Sequence, residues 1–246
     1  MLLLFILNLN NCIAFMFMAK TVLIKIMENN TKQDTIEVMG RRDLTQSTYI
    51  LELKRDNIDF TAGQFICLGV KESLQMREYS IYSGENELNL EVIIKEIEGG
   101  FVSQKLKRCQ VGEWLRFEKP YGQFTLNHDD IDKKKYFFIA TGTGIAPFHS
   151  YIRSYENLNY QVLHGVRYNE EVYDYEHYLK ERYTVCTTQE DNGYFHGRVT
   201  DYLKQNPQQE EFEYYLCGNG KMIYEVIAIL RNQNIPTERI HFEVFF

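Results

Sequence analysis

At 246 residues and 29.3 kDa, with 44% hydrophobic and 25% charged side chains, the chain has the make-up of a folded globular protein, long enough for one large domain or two ordinary ones. A net charge of −7 and a pI near 5.5 exclude a general nucleic-acid binder, which needs a basic stripe to neutralise phosphates, but leave room for one local basic patch. The 18 Tyr and 16 Phe, against one Trp, supply large buried area and flat faces on which a planar cofactor can stack.

The chain opens with an apolar stretch, Met1 to Met18, interrupted by Asn8, Asn10 and Asn11 and preceded by no basic residue, so a secretory signal is its poorest reading. Extending it through Ile26 reaches the roughly 20 residues of a membrane helix but encloses Lys20 and the asparagines. The plainest expectation is an upstream extension with the natural start at Met27; a membrane anchor is the alternative. Residues 1–33 are set apart from the fold on either view.

From Asp34 to about Thr125 short runs of β-branched and aromatic residues predict strands at Ile36–Met39, Thr48–Leu53, Gln64–Val70, Leu88–Ile94 and Trp114–Phe117. Arg55–Asn57, Ser83–Asn86 and Gly99-Gly100 supply turns between them. Such spacing predicts a small antiparallel barrel, with one helix over Phe101–Arg108. A charged linker, Asn127 to Lys135, follows.

Beyond it the pattern changes. Tyr136–Ala140 is a continuous apolar run of the kind a strand buried on both faces shows. Further strands are predicted at Tyr160–His164, Tyr183–Cys186, Tyr214–Cys217 and Ile240–Phe245. Helices are predicted from Pro147 to about Tyr155, around Tyr173 to Arg182, from Val199 to Gln205 and from Lys221 to Asn232. Strand and helix in alternation predict a parallel α/β sheet.

Two segments carry chemistry. In Arg77-Glu78-Tyr79-Ser80-Ile81-Tyr82-Ser83, alternation along a strand lets Arg77 and Tyr79 reach one ligand together. An arginine fork suits a pyrophosphate, a tyrosine ring and hydroxyl suit an isoalloxazine and its ribityl chain, and a serine hydroxyl suits the flavin N5 or O4. An ordinary polar strand end would carry the same residues. Gly99-Gly100-Phe101-Val102-Ser103 adds a glycine pair and a helix start, whose free N–H groups favour an anion, though an ordinary turn and cap reads the same way. The second segment, Gly142-Thr143-Gly144-Ile145-Ala146-Pro147, directly follows a buried strand and opens a helix, where α/β sheets bind ligands. It lacks the G-x-G-x-x-G dinucleotide fingerprint. The five cysteines, Cys12, Cys67, Cys109, Cys186 and Cys217, form no metal or iron–sulfur array, and reduced thiols in a cytoplasmic protein fit them best.

Together, R-x-Y-S-x-x-S from Arg77, G-F-V-S-x-x-L from Gly100 and Lys119-Pro120-Tyr121-Gly122-Gln123-Phe124 resemble the ferredoxin–NADP reductase superfamily, over nearly everything from Asp34 to Phe246. The resemblance implies a six-stranded antiparallel Greek-key FAD-binding barrel over 34–127, then a Rossmann-like parallel α/β NAD(P)-binding domain over 133–246. It assigns Arg77, Tyr79, Ser80, Ser83, Gly100, Phe101, Val102, Ser103 and Phe245 to FAD. It assigns Gly142, Thr143, Gly144, Ile145, Ala146, Pro147, Arg167, Thr188, Gln189, Arg198, Cys217, Gly218 and Met222 to the nicotinamide dinucleotide. Cys217, in C-G-x-x-x-M, would lie beside the nicotinamide C4, although a strand-end cysteine is more often a small buried hydrophobe. Phe245 would cover the flavin, and Glu243 would relay protons or hold the nicotinamide side; with Ser80 these are the expected catalytic residues. Thr188-Gln189-Glu190 stands where NADP-specific members carry Ser-Arg-Glu, so one phosphate-binding arginine is missing while Arg167 and Arg198 remain. NADPH is therefore the leading coenzyme and NADH the alternative.

The implied activity is hydride transfer between nicotinamide and FAD, and single-electron exchange with a separate carrier, ferredoxin or flavodoxin first. Lys105, Lys107 and Arg108 are the candidate docking patch, or simply a solvated helix face. A flavin, quinone or oxygenase reductase is the second reading, and a non-catalytic flavin or nucleotide sensor a reading of another class.

Overall fold

The computed structural model describes residues 35–191, 194–208 and 211–245. The expectations for residues 1–33, Cys12 and Phe246 lie outside that range.

Strands β1 (Thr35–Asp43), β2 (Thr48–Lys54), β3 (Phe65–Gly69), β4 (Met76–Ser80), β5 (Asn89–Lys95) and β6 (Trp114–Tyr121) form an antiparallel sheet in the order β4-β3-β6-β1-β2-β5. The bridge Ile81↔Val92 brings its two edges together, so the sheet closes as a barrel. Alternation along β2 and β5 fixes what each face meets. Tyr49, Leu51, Leu53, Leu90, Val92 and Ile94 fill the barrel interior, whereas Ile50 and Ile93 join the core shared with the second half of the chain. Helix α1 (Phe101–Lys107) turns Val102, Ser103 and Leu106 inward.

The second sheet is parallel throughout: β7 (Lys135–Thr141), β8 (Asn159–Val166), β9 (Tyr183–Thr187), β10 (Phe195–His196), β11 (Phe212–Asn219) and β12 (Ile240–Phe245), in the order β10-β9-β8-β7-β11-β12. Tyr136, Phe138 and Ala140 of β7 face the barrel-side core, while Phe137 and Ile139 face α3 (Val199–Gln205) and α4 (Gly220–Asn232). Burial of both faces is what the unbroken apolar run predicted. The connection after β7 runs to β8 on one side and the connection after its neighbour β11 runs to β12 on the other, and a crevice opens between them at the strands' carboxyl ends.

Helix α2 (Ala146–Ser154) locks the halves together. Ser150 Oγ donates to Ser83 O at 2.7 Å, Ser154 Oγ accepts from Glu85 N at 2.9 Å, and a His149 ring nitrogen lies 2.7 Å from Tyr82 O. Gly84 touches α2 so closely that a Cβ there would stand 2.8 Å from Arg153 O.

The helix predicted around Tyr173–Arg182 does not form. Three 3-10 turns occupy the region instead, at Asn169–Glu171, Tyr175–His177 and Lys180–Arg182. Asp174 sits in the left-handed region at φ 46°, which no α-helix accommodates. Its carboxylate is held by both terminal nitrogens of Arg42, at 2.7 and 2.8 Å, and by Tyr82 Oη at 3.0 Å. Tertiary hydrogen bonds to the barrel thus override the local helical pattern. The predicted linker is also partly structured, with a 3-10 turn at His128–Asp130 and Lys135 already in β7. Among the described residues, no helix is long and apolar enough to cross a membrane.

Candidate functional site

The barrel and the parallel sheet meet at two carboxyl-terminal strand ends. Ser80, last in β4 and 5% exposed, donates from Oγ to Glu243 Oε2 of β12 at 3.3 Å. Register places Glu243 opposite Cys217 of β11, and Cys217 opposite Ala140 of β7. Burial pushes the Glu243 carboxyl up to about 7, with the Ser80 hydrogen bond opposing and Glu78 adding to the shift. Burial and the neighbouring Glu243 hold the Cys217 thiol well above its ordinary range, so it stays protonated.

The glycine loop lies against the same strand end. A Cβ at Gly144 would stand 2.5 Å from Cys217 O, and one at Gly218 would stand 2.5 Å from Thr141 Oγ1, so both glycines permit backbone contact between β7 and β11. Thr141 Oγ1 in turn accepts from Asn219 N at 3.1 Å.

From here a cavity of about 590 Å³ runs across the carboxyl ends of the sheet. It gathers Gly142, Thr143, Arg167, Thr188, Arg198, Gly218, Met222 and Phe245, all predicted from sequence as cofactor contacts. Ile145, Ala146 and Pro147 are buried beneath the loop, and Gly144 is packed against Cys217, so these four shape the site without lining it. Gln189 is exposed outside the lining, its N–H bonded to Arg167 O at 3.0 Å. The backbone amides, hydroxyls and arginines present form a donor set that fits a dinucleotide's anionic phosphates.

Sequence reasoning missed Lys95 and Glu171. Lys95 ends barrel strand β5 yet lines the cavity, bonded to Glu171 Oε1 at 2.8 Å. Glu171 Oε2 accepts from Arg167 N at 2.8 Å. No local signal could identify this pair, because its members lie 76 residues apart. Lys221 was also missed, although a cation at the start of a helix after C-G-x-x was visible.

On the barrel side the predicted residues are dispersed in their bonding. Arg77 is exposed and donates to Met76 O at 2.8 Å. Tyr79 packs against the barrel core, where burial raises its phenol while Arg77 opposes the shift. Ser83 is fully buried, its Oγ accepting from Glu91 N at 3.0 Å. Ser103 is buried too, its Oγ accepting from Ile97 N at 3.1 Å. Gly100 caps α1 without a side-chain bond, Phe101 is exposed and Val102 is buried. Of the basic trio, Lys105 and Arg108 are exposed, but Lys107 is tied to Glu96 at 2.6 Å and to Gln46 O at 2.5 Å.

His149, Asp174 and His177 bring three possible metal-ligand atoms within 4.8 Å of one another. Asp174 is already bonded to Arg42 and Tyr82, and His149 Nε2 lies 2.9 Å from His177 Nδ1, so the network satisfies itself.

Two family descriptions match the chain: the oxidoreductase FAD-binding domain over residues 35–126 and the oxidoreductase NAD-binding domain over 138–227. A ferredoxin–NADP reductase of Azotobacter vinelandii is 30% identical over 210 residues, covering 72% of this chain and 80% of the relative. The toluate 1,2-dioxygenase electron transfer component of Pseudomonas putida is 27% identical over an alignment of 223 residues, with 83% of this chain but only 65% of that protein covered. A solved ferredoxin NADP+ reductase from Neisseria gonorrhoeae, with bound FAD and NADP, shares the fold at a TM-score of 0.78 and 24% identity, over 86% of this chain and 98% of that one.

Proposed function

We propose that this chain, which belongs to the ferredoxin–NADP reductase family, passes electrons between NAD(P)H and a separate single-electron carrier, ferredoxin or flavodoxin, through bound FAD. The barrel over 34–127 takes the flavin and the domain over 133–246 takes the dinucleotide. The observation that carries this reading is the Ser80–Glu243 contact, which joins the two halves beside Cys217 at the end of a cation-lined cavity.

When bound, FAD supplies the coupling of two-electron to one-electron chemistry, which no side chain here offers. Arg167 and Arg198 bind the dinucleotide's phosphates, with Thr188 lining the cavity beside them, and the Gly142–Thr143 backbone brings the chain close to the ligand. Two arginines at this end favour NADPH over NADH. Cys217 presents a small, neutral, buried sulfur where nicotinamide docks. Phe245 lines the cavity edge and moves aside for the reacting rings, which need contact at about 3–3.5 Å. Glu243, poised near neutrality, holds or releases a proton at Oε2 next to Ser80 Oγ.

Anaerobic stopped-flow mixing with NADPH and NADH, followed by ferredoxin and flavodoxin, tests the reading. Reduction of bound flavin, faster with NADPH, and reoxidation by either carrier are expected. Protein whose flavin neither coenzyme reduces would overturn the proposal and point to a sensor. The similarity to a dioxygenase electron transfer component supports a second reading, an oxygenase reductase. Turnover of free flavin or quinone above that of any ferredoxin or flavodoxin would favour it.

A further inference from the structure

His164 is completely buried in β8, between Ala140 of β7 and Val185 of β9. Its Nε2 lies 2.9 Å from Gly142 O and its Nδ1 lies 2.7 Å from Tyr183 Oη. A carbonyl oxygen only accepts, so Nε2 carries the proton. Burial lowers the ring's pKa to about 4, although the Gly142 carbonyl and Glu171 oppose the shift, so the imidazole is neutral and Nδ1 has a free lone pair. Tyr183 must therefore donate to it. The hydrogen bonds run one way, from Tyr183 through His164 to the loop carbonyl.

Gly142 stands at φ 53°, and an added Cβ would meet nothing within 4 Å. Its glycine identity thus serves backbone conformation and not fit. That conformation turns the carbonyl inward to His164 while Gly142 and Thr143 line the cavity. Tyr183 is in turn walled by the rings of Tyr178 and Tyr175, at 4.5 and 5.3 Å, from the 3-10 segment that grips the barrel.

We infer that His164 is a positioning residue for the nucleotide: it pins the Gly142 carbonyl so that the loop backbone faces the dinucleotide, with Tyr183 setting its tautomer. The inference rests on the reading of this cavity as the NAD(P) site.

The test measures NADP+ dissociation constants, from perturbation of the flavin spectrum, for wild type, His164→Leu, His164→Gln and Tyr183→Phe. Flavin content and hydrogen exchange of the 142–145 amides are followed in parallel. Leucine keeps volume but no donor, and should raise the dissociation constant about tenfold with faster exchange of the loop and unchanged flavin content. Glutamine restores a donor near Nε2 and should recover binding to within about threefold of wild type. If the leucine variant does not fold, Tyr183→Phe decides, with weaker NADP+ binding and faster loop exchange expected. NADP+ binding by His164→Leu, or in its absence by Tyr183→Phe, equal to that of a binding-competent wild type would overturn the inference. Wild-type protein that binds neither NADP+ nor NAD+ would instead refute the reading beneath it.

Discussion

Ser80 Oγ donates to Glu243 Oε2 at 3.3 Å, and this bond ties the last residue of a barrel strand to the last strand of the parallel sheet. Because Glu243 is raised to about 7 from 4.5, the folded chain binds its proton more tightly than the unfolded chain does. Stability accordingly falls as pH rises between those two values and then levels off. In Glu243→Gln that slope should vanish, with a gain on the order of 2 kcal/mol at pH 8 in the flavin-free protein. The same variant should slow flavin reduction by ~10–100-fold and lose any rate inflection near neutrality. Chemical denaturation at pH 5 and 8, beside pH-dependent stopped-flow traces, checks both halves.

Gly144→Ala drives a Cβ to 2.5 Å from Cys217 O and 2.7 Å from Gly218 Cα, both backbone atoms that cannot swing away. Overpacking of this kind costs about 1–3 kcal/mol. The loop should separate from β11, weakening NADP+ binding while FAD stoichiometry stays the same. Wild-type affinity in this variant would contradict the close approach.

Removing Asp174 tests the clasp between the halves. Asp174→Ala strips Arg42 and the buried Tyr82 hydroxyl of their partner, and should cost about 2 kcal/mol, most of it from the tyrosine, since Arg42 is well solvated. Asp174→Asn should cost less, because asparagine tolerates φ 46° and retains an acceptor. Burial pushes the Asp174 pKa up, but Arg42 and Tyr82 outweigh it and leave it lowered. The stabilisation is therefore present at neutral pH and above, and disappears as pH falls through the lowered folded value. Melting curves at pH 7 should place Asp174→Ala about 4–8 °C below wild type.

Arg167→Ala and Arg198→Ala should raise the NADPH KM at least tenfold while changing the NADH KM by less than about threefold, since each removes one charge-assisted phosphate contact. Equal losses with both coenzymes would assign the arginines to the shared pyrophosphate instead.

Lys107 is held by Glu96 and Gln46, whereas Lys105 and Arg108 are exposed. Lys105→Glu and Arg108→Glu should raise the KM for ferredoxin and spare ferricyanide reduction. Lys107→Glu should lower stability first, because it sets two carboxylates side by side. An unchanged ferredoxin KM in the first two variants would remove this face as the docking site.

The sequence by itself determined the two-part architecture. Apolar runs such as Tyr136–Ala140, alternating strands such as Thr48–Leu53 and glycines such as Gly142 report constraints that act within a few residues, and these survive in any tertiary setting. It also supplied eight of the eighteen residues that line the cavity. Arg167, Thr188 and Gly218 each sit at or just beyond a strand end that periodicity locates, whereas Arg198 came from the resemblance alone, because it follows β10, a two-residue strand that no apolar run marks. The tertiary structure alone decided the rest. Lys95 and Glu171 meet across the two halves, Ser83 and Ser103 turn inward to backbone amides, and the helix expected around Tyr173 gives way to turns held by Arg42. Ser80 and Glu243 were both legible as residues, but their hydrogen bond was not, because 163 positions separate them. Hydrogen bonds and burial across such distances have no period or local spacing, and they exist only once the two sheets have packed.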